Sequence, residues 1–161
     1  MNSKFNVCAI LLVLLLSNNS CFAQSSTNQI TLNKLTPWNF SLSTPAQLEN
    51  DQTISGAFSL VVKTKSKGCS VYANINSWSY PSGFTLPSSP LEIHYTSTNS
   101  PSAYNIATSP IALTSSNQLL FNQNKTGSAY TFYYDMILPA VGYDWYPGNY
   151  SFTITFTMTQ P

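Results

Sequence analysis

Large apolar side chains occupy every second position through most of this chain. The C-terminal run shows it most plainly: Tyr150, Phe152, Ile154, Phe156 and Met158 alternate with Ser151, Thr153, Thr155, Thr157 and Thr159. A period of two marks a strand with one dry face and one wet face. A slip of one residue would turn every large side chain to water, so the register of such a strand is fixed. Pro147-Gly148-Asn149 supplies the turn before it. The same alternation predicts strands at Trp38, Phe40 and Leu42, at Phe58, Leu60 and Val62, and from Cys69 to Ile75. It predicts two more at Leu91, Ile93 and Tyr95 and from Ala129 to Leu138, where Tyr130, Phe132, Tyr134, Met136 and Leu138 share a face. Lys63 to Gly68 reads as a strand end entering a hairpin turn, with Gly68 free to take a positive φ.

No stretch carries a convincing helical period, and ten Pro, each without an amide donor, weigh against helices. Strands joined by turns predict two antiparallel sheets packed face to face. The expected fold class is therefore all-β, a single antiparallel Ig-like β-sandwich over residues 24–161, preceded by a signal peptide over residues 1–23. In that leader Lys4 supplies the positive start, Cys8 to Leu16 the apolar core, and Cys21-Phe22-Ala23 a small-x-small site before Gln24. The apolar run is shorter than the roughly 20 residues needed to cross a bilayer, and no second one follows. The expectation is a secreted, periplasmic or cell-surface protein, cleaved after Ala23 and without a transmembrane anchor. A lipid anchor on Cys21 is disfavoured, because Asn18-Asn19-Ser20 lacks the apolar residue that a bacterial lipobox places three before the cysteine.

Charge changes the picture next. Charged residues make up 7% of the chain against roughly 25% in an average globular protein, and there is no Arg. Neutralising phosphates takes Lys and Arg in number, so nucleic acid is excluded as a partner. A hydrophobic content of 43% separates the chain from disordered sequences of similar polarity. From Gln24 onward five Lys balance five carboxylates, and Ser, Thr, Asn and Gln take the wet positions. Such a neutral surface suits packing beside like subunits or against uncharged glycans. It is not expected to steer charged partners.

Candidate chemistry is sparse. His94 is the single histidine, too few for a metal site of the usual His and Cys kind. It falls on the strand face opposite Leu91, Ile93 and Tyr95, with Glu92 beside it, and a partly exposed strand histidine explains it better than a general base. A base of that kind needs an oriented nucleophile and a third group. No nucleophile elbow, phosphate-binding glycine loop or H-E-x-x-H motif occurs. Asp135 and Asp144 are the carboxylates to weigh as a glycosidase pair, but a surface strand residue and a turn former account for them. Glu49-Asn50-Asp51 offers oxygens to a calcium ion and reads more simply as a solvated turn. No catalytic residue, metal or cofactor is assigned. With the leader removed, Cys69 is the only cysteine, so no internal disulfide forms. Val71, Ala73 and Ile75 share its face, which favours burial over an intermolecular bond.

Binding chemistry has more to work with. Trp78 to Phe84 and Tyr143 to Gly148 read as loops that put Trp78, Tyr80, Tyr143, Trp145 and Tyr146 at the ends of a sandwich. Exposed rings of this kind stack on sugars or pack against a protein, while rings folded inward plug the open ends of the core. Asn39-Phe-Ser41, Asn124-Lys-Thr126 and Asn149-Tyr-Ser151 fit the glycosylation pattern, as triplets in an Asn- and Ser-rich chain readily do. Near the start, Gln29 to Asn33 with Ile30 and Leu32 on one face suits strand exchange with a neighbour. The same segment also serves as the first strand of its own domain.

Three stretches resemble small secreted bacterial proteins, similar in outline to spore coat protein U-like and fimbrial-subunit-like Ig-type sandwiches. They are Trp38 to Leu48, Ala57 to Lys63, and Tyr146 to Pro161 with its Pro-Gly-x-Tyr turn launching an alternating final strand. The resemblance implies a structural or adhesive surface protein with no family active site to carry over. Coat-U-like domains usually carry cysteines that can form a bridge, and this chain keeps only Cys69. Two functional expectations follow: a secreted structural or adhesion-type module with no catalytic activity, or a carbohydrate-binding module that uses the loop aromatics.

Overall fold

The protein is described here by a computed structural model covering residues 28–65 and 67–160. The expected signal peptide lies outside the described residues. The elements, in chain order, are β1 (Asn28–Lys34), α1 (Pro45–Glu49), β2 (Gln52–Thr64), β3 (Cys69–Ser79), β4 (Leu91–Thr98), β5 (Ala103–Tyr104), β6 (Ile111–Leu113), β7 (Gln118–Gln123), β8 (Ala129–Leu138) and β9 (Ser151–Thr159). They build a five-stranded sheet in the order β1-β2-β8-β4-β6 and a four-stranded sheet in the order β5-β7-β3-β9, antiparallel throughout. The expected all-β sandwich is the architecture observed.

The core forms where the alternating faces meet. Phe58, Leu60 and Val62 of β2, Val71, Ala73 and Ile75 of β3, and Phe132, Tyr134 and Met136 of β8 are buried together. Ring contacts show how the sheets align. Phe58 stacks on Tyr134 within its own sheet at 5.1 Å and meets Phe156 of the opposite sheet at 5.1 Å, while Phe121 of β7 stacks on Phe132 of β8 at 3.7 Å. β9 therefore lies opposite β2, and no strand of the smaller sheet lies opposite β1. Leu32, on the same face as Ile30, is 42% exposed as a result.

Four expectations change. Trp38 to Leu42 is not a strand: residues 36–43 are extended without ladder bonds, although Trp38, Phe40 and Leu42 keep the half-buried positions of an alternating segment. Pro37 has no amide to donate, and the segment leaves β1 through bonds from Leu35 N, Thr36 N and Trp38 Nε1 to the one carbonyl of Ala57. Lys63 to Gly68 is not a hairpin turn, because β2 and β3 belong to different sheets. It crosses the sandwich, and Gly68 is needed there for close approach rather than for positive φ: an added Cβ would sit 2.7 Å from the Gln123 carbonyl oxygen. Trp78 stands on β3, not in a loop. Finally, α1 is a short helix where none was expected, set by a Thr44 capping box with Gln47 and by Pro45 in the first turn.

Buried polar groups tie the crossing end together. Thr64 and Gln123 are fully enclosed. Thr64 Oγ1 donates to the Asn124 carbonyl at 2.9 Å, while Gln123 accepts from Ser100 Oγ and donates to Ser102 Oγ, each at 2.7 Å. These bonds offset the cost of enclosing both side chains. In the larger sheet, β2 carries an irregularity between Ile54 and Phe58, where Gly56 at φ 58° donates its amide to Asp135 Oδ1 at 2.7 Å.

The packing ranks two substitutions. Phe58→Ala should lower the free energy of urea unfolding by about 3–5 kcal/mol, because Phe58 joins both sheets. Tyr104→Ala, on the exposed two-residue β5, should change it by less than about 0.5 kcal/mol. Comparable losses at both positions would contradict this account of the core.

Candidate functional site

Sheet edges are unpaired hydrogen-bonding rows, and this fold guards them unequally. β5 and β6 are two and three residues long, and short edges offer little to pair with. β1 ends in Lys34. β9 has none of these protections: it is nine residues long, carries no charge and no proline, and pairs only with β3. Phe152, Ile154, Phe156 and Met158 pack against the core but remain half-buried. The expected dry face is only half dry.

Beside this edge lies a cleft of about 790 Å³. Trp38, Phe40 and Leu42 of the extended segment form one wall, and Ser151, Phe152 and Ile154 of β9 form the other. The buried side chains of Leu91, Met136 and Leu138 reach its floor. The cleft separates two extended stretches, one of which is a bare sheet edge.

The sequence-predicted aromatics gather at the same end. Phe84 is their centre, with ring centroids 6.1 Å from Tyr80, 5.4 Å from Trp145, 5.6 Å from Tyr146 and 5.5 Å from Tyr150. Trp145 and Tyr150 are themselves 4.7 Å apart, and the Tyr150 hydroxyl donates to the Tyr146 carbonyl at 2.8 Å. Gly148 lets the two loops close: a Cβ there would lie 2.5 Å from Pro81 Cγ. The rings thus hold the loop after β3 to the loop before β9. Tyr143, at 67% exposure, and Tyr146, at 51%, still face outward, and Tyr143 donates its hydroxyl to Glu49 Oε1 at 2.6 Å. That bond keeps the Tyr143 phenol above its ordinary pKa.

Trp78 reaches this end by a bulge. The register between β3 and β9 shifts between Ile75 and Ser77, so Trp78 pairs with Phe152 and shares its face. Sequence periodicity missed this because the polar pair Asn76-Ser77 interrupts the alternation. Ile30 and Leu32 lie on β1, paired with Val62 and Leu60 of the same chain.

Asp135, Asp51 and His94 each lie within hydrogen-bonding distance of the backbone. Asp135 receives the Gly56 amide, Asp51 Oδ1 receives the Ala140 amide at 2.8 Å, and Asp144 is exposed in the β8–β9 loop. His94 faces Asp135 across the β4–β8 ladder, and its Nε2 lies 3.2 Å from the Thr108 carbonyl oxygen. Among the described residues no group of three metal-ligating acids, histidines or cysteines occurs, and no helix is long and apolar enough to cross a membrane. Neither a scan against protein-family models nor a search of curated proteins finds a match for the chain.

Cys69 is 4% exposed, and burial pushes its thiol up to about 11 from 9.0. The folded state therefore favours the protonated thiol. Its stabilising share is whole below pH 9 and is lost as pH rises toward 11, because the unfolded chain releases the proton first. In urea unfolding, the fall in stability over that window should be shallower in Cys69→Ala than in wild type. At pH 8, iodoacetamide should label the native protein far more slowly than the unfolded one. Equal labelling rates would show that the thiol is accessible.

Proposed function

We propose that this protein is a secreted structural or adhesive module of a bacterial surface, without catalytic activity, that associates with like subunits by strand addition at β9. The observation that supports it is the state of that edge. An incoming extended segment would find a free main-chain row, half-covered apolar side chains at alternate positions and an adjoining cleft, which are the requirements of β-augmentation. The larger sheet continues past β2 to β1, whereas the smaller sheet ends at β9. Main-chain pairing there supplies affinity, and the alternate pockets around Phe152, Ile154 and Phe156 select the partner's side chains.

The aromatic end supports this reading over sugar binding. Phe84, Trp145 and Tyr150 turn their rings toward one another, which makes them a plug at the end of the core rather than a platform. A neutral, hydroxyl-rich surface suits close packing between copies.

Two measurements test the proposal. Sedimentation velocity on the purified protein should show concentration-dependent association, weakened about tenfold or more by Thr155→Lys, since a lysine on an edge strand obstructs pairing. A wild type that stays monomeric at every concentration, or a variant that associates equally well, would refute it. Mass spectrometry of the exported protein should find an N-terminus at Gln24. An intact leader would remove the secretory part of the reading.

A further inference from the structure

The neutral sum of side-chain charge conceals a segregation along the molecule. β2 runs from one end of the sandwich to the other. At its Thr64 end, Lys63 and Lys65 close the strand, Lys67 stands in the crossing to β3, and Lys125 lies in the β7–β8 turn. The turn is fastened to that end by bonds from the Thr126 and Gly127 amides to Thr64. All four lysines are exposed.

The opposite end is acidic. Glu49 and Asp51 precede β2, Asp144 lies in the β8–β9 loop, and Glu92 pairs with Ile137 at the close of β8. Asp135 sits three residues inside the same end of β8. Lys34 also lies toward this end, its ammonium 5.3 Å from the Trp38 ring centroid. Thirteen strand residues place the two ends about 40 Å apart. That is several times the Debye length of about 8 Å at physiological salt, so the ends do not neutralise each other within one molecule.

A second feature of the acidic end is independent of its charge. Tyr143 and Tyr146 expose more than half their surface there. An ammonium group is attracted both to a carboxylate and to the face of a phenol ring. The acidic end is thus built to receive lysines, and the opposite end of the same chain presents four.

We propose that copies of this chain stack end to end, the lysine end of one against the carboxylate- and tyrosine-bearing end of the next. The two surfaces differ, so the contact is heterologous and repeats without closing, which yields a linear array. Charge complementarity speeds the encounter and disfavours contact between like ends. The inference rests on the reading of the protein as a self-associating module, but it uses a surface distinct from the β9 edge.

Salt and charge reversal separate the two surfaces. In sedimentation velocity the purified protein should assemble in 0.01 M NaCl and lose about tenfold or more in apparent affinity in 1 M NaCl, as the Debye length falls from about 30 Å to about 3 Å. Lys63→Glu with Lys65→Glu and Lys125→Glu makes both ends acidic, and Glu49→Lys with Glu92→Lys and Asp144→Lys makes the other end basic. Carried on Thr155→Lys, which obstructs the β9 edge, each variant alone should stay dispersed at low salt, while an equal mixture should assemble, which also shows that both are folded. The milder pair Lys65→Gln with Lys125→Gln should weaken assembly in part. Assembly that persists in 1 M salt and survives both reversals would overturn the end-to-end contact and leave association at β9 standing. A mixture that remains dispersed would overturn it as well, and a wild type that never assembles would refute both.

Discussion

Phe58 fixes how the two sheets lie over each other. It stacks on Tyr134 beside it, meets Trp38 edge-to-face with centroids 5.5 Å apart, and touches Phe156 in the opposite sheet. Those contacts set β2 over β9. One sheet then has a strand, β1, with no counterpart opposite it, and the other ends in a bare edge. The half-covered apolar face of β9 and the cleft beside it follow from this alignment. The Gly56 irregularity just before Phe58, latched by Asp135, places the ring without turning β2 away from β8.

The same strand organises the charges. β2 spans the molecule, with acids just before its first residue and lysines at its last turn. A zero net charge therefore describes the sum and not the surface. Neutrality over about 40 Å is not neutrality at either end. Lateral strand addition and end-to-end charge contact are compatible, because one uses the side of the sandwich and the other its ends.

Much of the fold was legible in the alternation. β8 begins and ends where the pattern of Tyr130 to Leu138 says it should, and Phe132, Tyr134, Met136 and Leu138 on that face are buried. β7 escaped because Leu119-Leu120-Phe121 places three apolar residues in succession, and the structure resolves them with a bulge opposite Val71 and Tyr72. Alternation at Trp38, Phe40 and Leu42 correctly indicated side-chain burial but not pairing, which depends on a neighbour the periodicity does not reveal. The Thr44 to Gln47 capping box that sets α1 is a local cap signal, which a search for hydrophobic periodicity does not detect in a helix of five residues. The open edge could not be read at all, since a strand's hydrophobic face says nothing about how many neighbours it has. Charge segregation likewise appears only once strand ends are placed in space.

The central claim is that β9 is the surface where another chain adds. In an antiparallel edge strand, amides alternate between the paired side and the open side. Residue-resolved hydrogen exchange across a concentration series measures both sets at once. The β3-facing amides should be protected at every concentration, and the open-side amides should gain protection only as the protein associates. Association with the open-side amides of β9 still exchanging freely would contradict the account.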